Sequence, residues 1–241
     1  MTRTDGRVLV VGATGKTGTH VVAALAETPF VVRALTRDAD AADALRAQGA
    51  DEVAVGDLLD SADALRAVAD VDAIISTAGA SLRLGDIRGE LVDGAGLVNL
   101  VDAAAAAGVQ RFVLMSSIGV GDSKGGLPLS IRAILTAGGV LSAKERSEEH
   151  LRESPISHTI VRPGALTDSP ATNEVLVGEG GDSVCGSIPR ADVANVLVRA
   201  LFTPGTENRT FEIVSRPGLR EPPNTLVDID WGTVPRAEPA D

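Results

Sequence analysis

Val10-Val11-Gly12-Ala13-Thr14-Gly15-Lys16-Thr17-Gly18 is the stretch on which the reading of this chain turns. It closes a continuous apolar run, Arg7 to Val11, and passes through a G-x-x-G-x-x-G spacing into Val21, Val22 and Leu25 at helical intervals. A run of that kind marks a strand buried on both faces. One glycine allows the tight turn, another lets the backbone approach a pyrophosphate, and the last lets helix and strand pack closely. The unpaired N–H groups and the positive end of the helix then meet the anion. An ordinary turn does not need three spaced glycines, and the G-x-x-x-x-G-K-[S/T] spacing of phosphate-loop NTPases is absent despite Lys16. The stretch predicts dinucleotide binding at the first βα turn of a series.

The rest of the chain supplies that series. Strands are read at Phe30–Leu35, Asp51–Val55, Ala73–Ser76, Arg111–Met115, His158–Val161 and Thr210–Val214. Helices are read at Ala39–Ala47, Ala62–Val68, about Arg88 to Ala107 with a Gly108 stop, and Asp192–Phe202. Another is expected to open at Ser142, where Ser142 and Glu145 make a capping box, and to run to about Glu153. Strands alternating with helices imply right-handed crossovers and an α/β fold, a doubly wound parallel sheet with helices on both faces. One domain is expected over residues 1–215, with substrate-covering elements around 119–139 and 165–190. The first of these is read as a loop with a short helix at Leu129–Leu135. Residues 216–241 carry prolines among polar residues and read as an extended, loosely held tail, with Trp231 as a pin.

Composition narrows the function. The 241 residues include 33 acidic and 22 basic side chains, for a net charge of −11, and 2% aromatics with no tyrosine. Such a chain lacks both the electrostatic term and the stacking platform for nucleic acid. The single Cys185 excludes an intrachain disulfide and a multi-cysteine metal site, and no histidine pair has metal-ligand spacing, so no metal is expected. Met1 to Arg7 is polar, and no apolar run reaches the roughly 18 residues of a membrane span. A soluble, cytoplasmic protein is expected, and the alanine, valine and arginine usage points to a high-GC bacterium. The expected partner is a small-molecule substrate, with no nucleic acid and no membrane; a homodimer is left open.

The end of the second strand bears on the cofactor. NAD binders place an acid there for the ribose hydroxyls. This chain reads Leu35-Thr36-Arg37-Asp38, and the planar fork of Arg37 suits a 2′-phosphate. Asp38 competes as a ribose ligand, but it can equally cap the helix that follows. The reading favours NADP, with NAD as the alternative. Asp57-Leu58 could flank the adenine and Thr77-Ala78-Gly79 the nicotinamide ribose, although both could be plain turn chemistry.

These residues, with Met115-Ser116-Ser117, Ala143-Lys144, Thr159-Ile160-Val161-Arg162-Pro163-Gly164 and Arg190-Ala191-Asp192-Val193, resemble the atypical short-chain dehydrogenase/reductases. They are most similar to the NAD(P)H-binding, NmrA-like branch that contains the biliverdin and flavin reductases. The resemblance spans about Arg7 to Val214. By position it implies Gly12, Thr14, Gly15, Lys16, Thr17 and Gly18 at the pyrophosphate, Arg37 at the 2′-phosphate, and Asp57 and Leu58 at the adenine. It implies Ala78 and Gly79 beside the nicotinamide, Lys144 on its ribose, and Pro163 and Gly164 at the carboxamide. Ser116 and Ser117 would face the substrate.

One departure stands out. Many members carry Tyr-x-x-x-Lys, where the lysine lowers the phenol's pKa. Four residues before Lys144 stands Val140, so the usual proton relay is absent. Lys144 and Ser117, with Ser116, remain the catalytic candidates, the serines for orienting substrate. Lys144 could equally be an exposed lysine paired with Glu148 at i, i+4, and Glu145 to Glu149 read as a solvated helix face. The expected function is an NADP-dependent oxidoreductase passing a hydride to a small carbonyl, quinone or flavin-like acceptor without a catalytic tyrosine. The alternatives are a redox-sensing regulatory protein that binds NAD(P) without turnover, and an epimerase or lyase using bound nucleotide.

Overall fold

The computed structural model describes residues 6–79, 92–123 and 139–237. Its strands are β1 (Arg7–Val11), β2 (Val31–Thr36), β3 (Glu52–Val55), β4 (Ala73–Ser76), β5 (Arg111–Met115), β6 (Ser157–Pro163), β7 (Ala165–Thr167), β8 (Val175–Glu179), β9 (Ser187–Pro189) and β10 (Arg209–Ser215). The described α-helices are α1 (Lys16–Ala26), α2 (Ala42–Ala47), α3 (Ser61–Ala67), α4 (Leu97–Ala107), α5 (Val140–Glu153) and α6 (Arg190–Leu201). Eight strands form one sheet in the order β3-β2-β1-β4-β5-β6-β10-β8, and β7 pairs with β9 separately. The chain order reverses between β1 and β4, which creates the crevice where ligands of open α/β sheets bind.

Alternation along β1 explains why both faces are covered. Val8 and Val10 point into a cluster with Val21, Val22 and Leu25 of α1 and Val193 and Leu197 of α6. Leu9 and Val11 point the other way, to Leu100 and Val101 of α4 and Leu151 of α5. Each fully buried branched side chain contributes roughly 1.5–3 kcal/mol, so a core almost without aromatic rings still holds the sheet.

The structure departs from the sequence reading in four places. The sheet is mixed, because β8 runs antiparallel to β10 with Val177 opposite Ile213. β7, β8 and β9 all lie within the stretch read as substrate-covering, where runs of three to five residues are too short to show a period. Helix α5 begins two residues before Ser142, at Val140, entered from Gly139 at φ +71° with no side-chain cap. Buried Val140 and Leu141 extend its apolar face, and the Ser142–Glu145 capping box does not form. Residues 219–237 are extended but firmly held. Val227 N–H donates to the Val177 carbonyl at 2.9 Å and Ala237 N–H to Glu27 at 2.8 Å, while Trp231 packs on the α1–α6 side of the core.

The helix expected from Arg88 is described from Val92, where a π-helical turn, Val92–Gly96, leads into α4. Gly108 ends α4 in the left-handed conformation at φ +77°, as the sequence predicts. The first residues expected for that helix, 88–91, and most of the 119–139 segment with its Leu129–Leu135 helix, lie outside the described residues.

Candidate active site

The glycine turn is shaped by close approach. Gly12 has φ +76°, and a Cβ there would stand 2.7 Å from the Ala78 nitrogen. A Cβ on Gly18 would fall 2.1 Å from the Gly12 carbonyl oxygen, so the third glycine lets α1 seat against the turn. Gly15 caps α1 with no side chain to occupy the first N–H groups of the helix. Those groups have no partner within the helix and face the crevice as a ready site for an anion.

Beside the turn lies a cleft of about 190 Å³. Gly12, Thr14, Gly15, Arg37, Asp57, Leu58, Ala78 and Gly79 line it, joined by Thr36, Thr77 and Val92. Arg37 is exposed and has no carboxylate partner among the described residues, whereas Asp38 turns away and accepts from Asp40 N–H at 3.0 Å, capping the next turn. Asp57 lines the cleft and also closes a turn, accepting from Leu59 N–H at 3.0 Å.

Three expected pyrophosphate residues sit differently. Thr17 and Gly18 are buried under the turn. Lys16, on the first residue of α1, reaches across to Asp168 at 2.5 Å, and Arg190 at the start of α6 bonds the same carboxylate at 2.5 Å. The Lys16 hydrogen bond, with Arg190 beside it, holds the Asp168 carboxyl below its ordinary value. Pro163 and Gly164 end β6 outside the cleft, and a Cβ on Gly164 would meet the Gly186 carbonyl oxygen at 2.5 Å, so this glycine serves the packing of β9.

Behind Gly79 of the cleft, Lys144 is neither exposed nor paired with Glu148. Its Nζ donates to Asp93 Oδ1 at 2.6 Å, with the side chains 13% and 2% exposed. Because α5 starts at Val140, Lys144 lies in the second turn, past the positive end of the helix where a cation is disfavoured. Val140 itself is buried. The Ser116 hydroxyl is buried with no partner among the described residues, while Ser117 Oγ donates to the Ile118 carbonyl at 2.8 Å.

Glu148 is fully buried, contrary to the solvated face read for Glu145 to Glu149. It accepts from Arg162 Nε at 3.0 Å and Nη2 at 2.7 Å, and from Arg152 at 2.7 Å. Burial opposes the charge on Arg162, but Glu148 and Asp122 outweigh it and raise its proton affinity.

With this geometry in view, residues 12–204 match the family model for NAD(P)H-binding proteins. The chain belongs to this NAD(P)H-binding family. It is 35% identical over 215 residues to an uncharacterized chloroplastic protein of Arabidopsis thaliana, At2g34460, covering 87% of this chain and 77% of the relative. It is 29% identical to sanguinarine reductase of Eschscholzia californica, covering 87% and 89%. Among solved structures, a putative NAD-dependent epimerase/dehydratase from Bacillus halodurans superposes with a TM-score of 0.77 at 31% identity, covering 87% and 94%. The anaerobilin reductase ChuY of Escherichia coli O157:H7 gives 0.77 at 28%, covering 90% and 99%. The atypical short-chain dehydrogenase/reductase resemblance therefore stands.

Two expectations do not. The cytoplasmic location is overturned by chloroplastic relatives, the Arabidopsis protein and a pea protein, TIC 62, at 36% identity. A bacterial origin gains no support either, since the relatives come from plants as well as bacteria.

The residues present fit the family's cofactor. The cleft crosses the switch point, glycines keep its floor free of side chains, and the helix N–H groups lie open beside it.

Sequence reasoning passed over Asp93, Asp168 and the partnership of Glu148 with Arg162. Only Asp93 left a local signal. It is an acid four residues before Leu97 and eight before Val101, on the apolar face of its helix, where a buried carboxylate needs a partner.

Proposed function

We propose that this chain is an NADPH-dependent reductase of a small conjugated organic acceptor, of the carbonyl, quinone or flavin-like kind. Its preference for NADPH rests on one observation: Asp38 is engaged as a cap while Arg37 lines the cleft with no carboxylate partner among the described residues. An acid at that place would repel a 2′-phosphate, and a free guanidinium would hold it through paired N–H bonds. Gly12, Thr14 and Gly15 with the start of α1 would carry the pyrophosphate, Asp57 and Leu58 the adenine, and Ala78 and Gly79 the nicotinamide side. When bound, the reduced nicotinamide supplies a hydride, two electrons and a proton's mass, to the acceptor.

The chain's part is to hold the acceptor over the C-terminal edge of the sheet near Gly79 and Ser117. Sanguinarine reductase and anaerobilin reductase are relatives named for reductions, which supports this class of reaction over epimerisation. Acceptors whose anions are delocalised suit a site without a tyrosine.

Titration of NADPH and NADH by nicotinamide fluorescence tests the reading. Wild type is expected to prefer NADPH, and Arg37→Ala to weaken NADPH about 10- to 100-fold while leaving NADH unchanged. Equal binding of the two nucleotides by wild type would refute the NADPH preference. Tight binding without oxidation of NADPH by any quinone, flavin or carbonyl acceptor would refute the reductase.

A further inference from the structure

A buried ion pair stands behind the cleft, on the lysine of the Tyr-x-x-x-Lys spacing whose tyrosine position is here Val140. Stability does not account for it, since a buried pair repays its desolvation only with excellent geometry and often does worse than apolar side chains of the same volume. Lys144 and Asp93 are nevertheless set with care. Asp93 rides on the π-helical turn, a distortion that tends to occur at functional sites. The Ser147 hydroxyl donates to the Asp93 carbonyl and ties that turn to α5. Gly94 packs against Ala143 of α5, where a Cβ would sit in ordinary contact at 3.4 Å from the Ala143 Cβ.

The pair also faces the cleft through a gap. A Cβ on Gly79, which lines the cleft, would point at Asp93 Oδ1 at 3.6 Å and at Lys144 Nζ at 3.8 Å. With only hydrogen at that position, nothing on residue 79 screens the ammonium from a bound molecule. Ser76 and Ser116 end neighbouring strands, and strand alternation puts both on the face of the sheet that α4 and α5 cover. Both hydroxyls are buried with no hydrogen-bond partner among the described residues. A ligand reaching past Gly79 would meet a polar end to the cleft.

We infer that Lys144 is the proton donor of the reduction, with Asp93 as its positioning residue. The inference rests on the reductase reading above. The acceptor takes up an electron pair with the hydride, and its oxygen or nitrogen becomes basic. One N–H bond of the Lys144 ammonium breaks, its electron pair stays on Nζ, and the proton goes to that atom. The neutral amine then recovers a proton from water, while Asp93 holds Nζ at the gap.

Stopped-flow oxidation of NADPH by a naphthoquinone, beside NADPH affinity by fluorescence, tests this. Lys144→Met is expected to bind NADPH within a few-fold of wild type, to lose about 100-fold or more of the rate at saturating NADPH, and to lose the solvent deuterium isotope effect. Lys144→Arg, which keeps the charge but cannot release a proton, is expected to be as slow. Lys144→Ala should regain rate with added ethylammonium. Asp93→Asn should slow the step with unchanged affinity and the isotope effect retained.

Because Lys144→Met takes the ammonium away from a buried carboxylate, the neutral double variant Asp93→Asn/Lys144→Met guards the fold, which thermal melting checks, and it too should bind NADPH and fail in the fast step. A raised Kd with full rate at saturation, or full rate in Lys144→Arg, would overturn the assignment by making Lys144 a binding residue. Wild type that binds NADPH and never oxidises it would overturn the reductase reading, and this assignment with it.

Discussion

The β1–β4 side of the cleft and the β5–β10 side are built on different principles. On the first side the site is backbone: a glycine turn, an uncapped helix end, and short loops after β2, β3 and β4. On the second it is made of charges taken out of water: Lys144 on Asp93, Arg162 on Glu148, and Glu212 accepting from the Ser183 N–H at 2.6 Å, the Asp182 N–H at 2.9 Å and the Ser123 hydroxyl. Backbone sites depend on local spacing, whereas buried charge networks depend on residues far apart in the chain. Damage to the first side should therefore cost binding, and damage to the second should cost the fold.

The sharpest test of that division is Arg162→Met. Arg162 and Glu148 are both nearly inaccessible, and the arginine also bonds Asp122. Removing it leaves the buried Glu148 carboxylate only the half-exposed Arg152, so up to about 3–5 kcal/mol of stability should be lost in urea denaturation. Glu148→Leu/Arg162→Met should recover much of that loss, because an apolar pair of similar volume strands nothing. A single variant as stable as wild type would show that the charges on this side do not hold the fold.

The same contrast explains what could be read from sequence alone. The fold was legible because β1 is five apolar residues in a row and its turn carries glycines at a fixed spacing. The cleft lining from Gly12 to Gly79 was legible for the same reason. Lys144 was found by its place in a pattern, but its partner lies 51 residues earlier, beyond any local period. Glu148 looked like one charge among several on a solvated helix, and only β6, which brings Arg162 under it, makes it a core residue. Ser142 and Glu145 had the letters of a capping box, yet Gly139 and two apolar residues start the helix sooner.

A smaller effect on the second side is its response to acid. His158 is buried at the start of β6, with Nδ1 3.1 Å from the Ile156 carbonyl oxygen. Burial, helped by Arg152 and Arg111 nearby, lowers its proton affinity from the ordinary value of 6.5. Above that pH the histidine is neutral in both folded and unfolded chains and makes no difference. As pH falls below 6.5 the unfolded chain takes up the proton first, so stability declines, by at most about 1.4 kcal/mol per pH unit, until the folded form is protonated too. Denaturant midpoints between pH 7.5 and 5 should show the loss, and His158→Gln should flatten it. An unchanged slope in that variant would assign the acid response to other groups.

The smallest expected effect concerns the contact that joins the two sides. Asp168 holds Lys16 of the glycine turn and Arg190 of α6 at once, and it is well exposed, as Lys16 is. An exposed pair of this kind adds little to stability, and salt weakens it further. Its consequence falls on binding, because a dinucleotide pyrophosphate arriving at α1 must compete with Asp168 for Lys16. Asp168→Asn should therefore tighten NADPH about two- to threefold at low ionic strength, and the gain should shrink as salt screens the charges. The melting temperature should barely move. If affinity fell instead, Asp168 would be fastening the C-terminal half over the bound nucleotide, and the backbone side of the cleft would depend on the charged side after all.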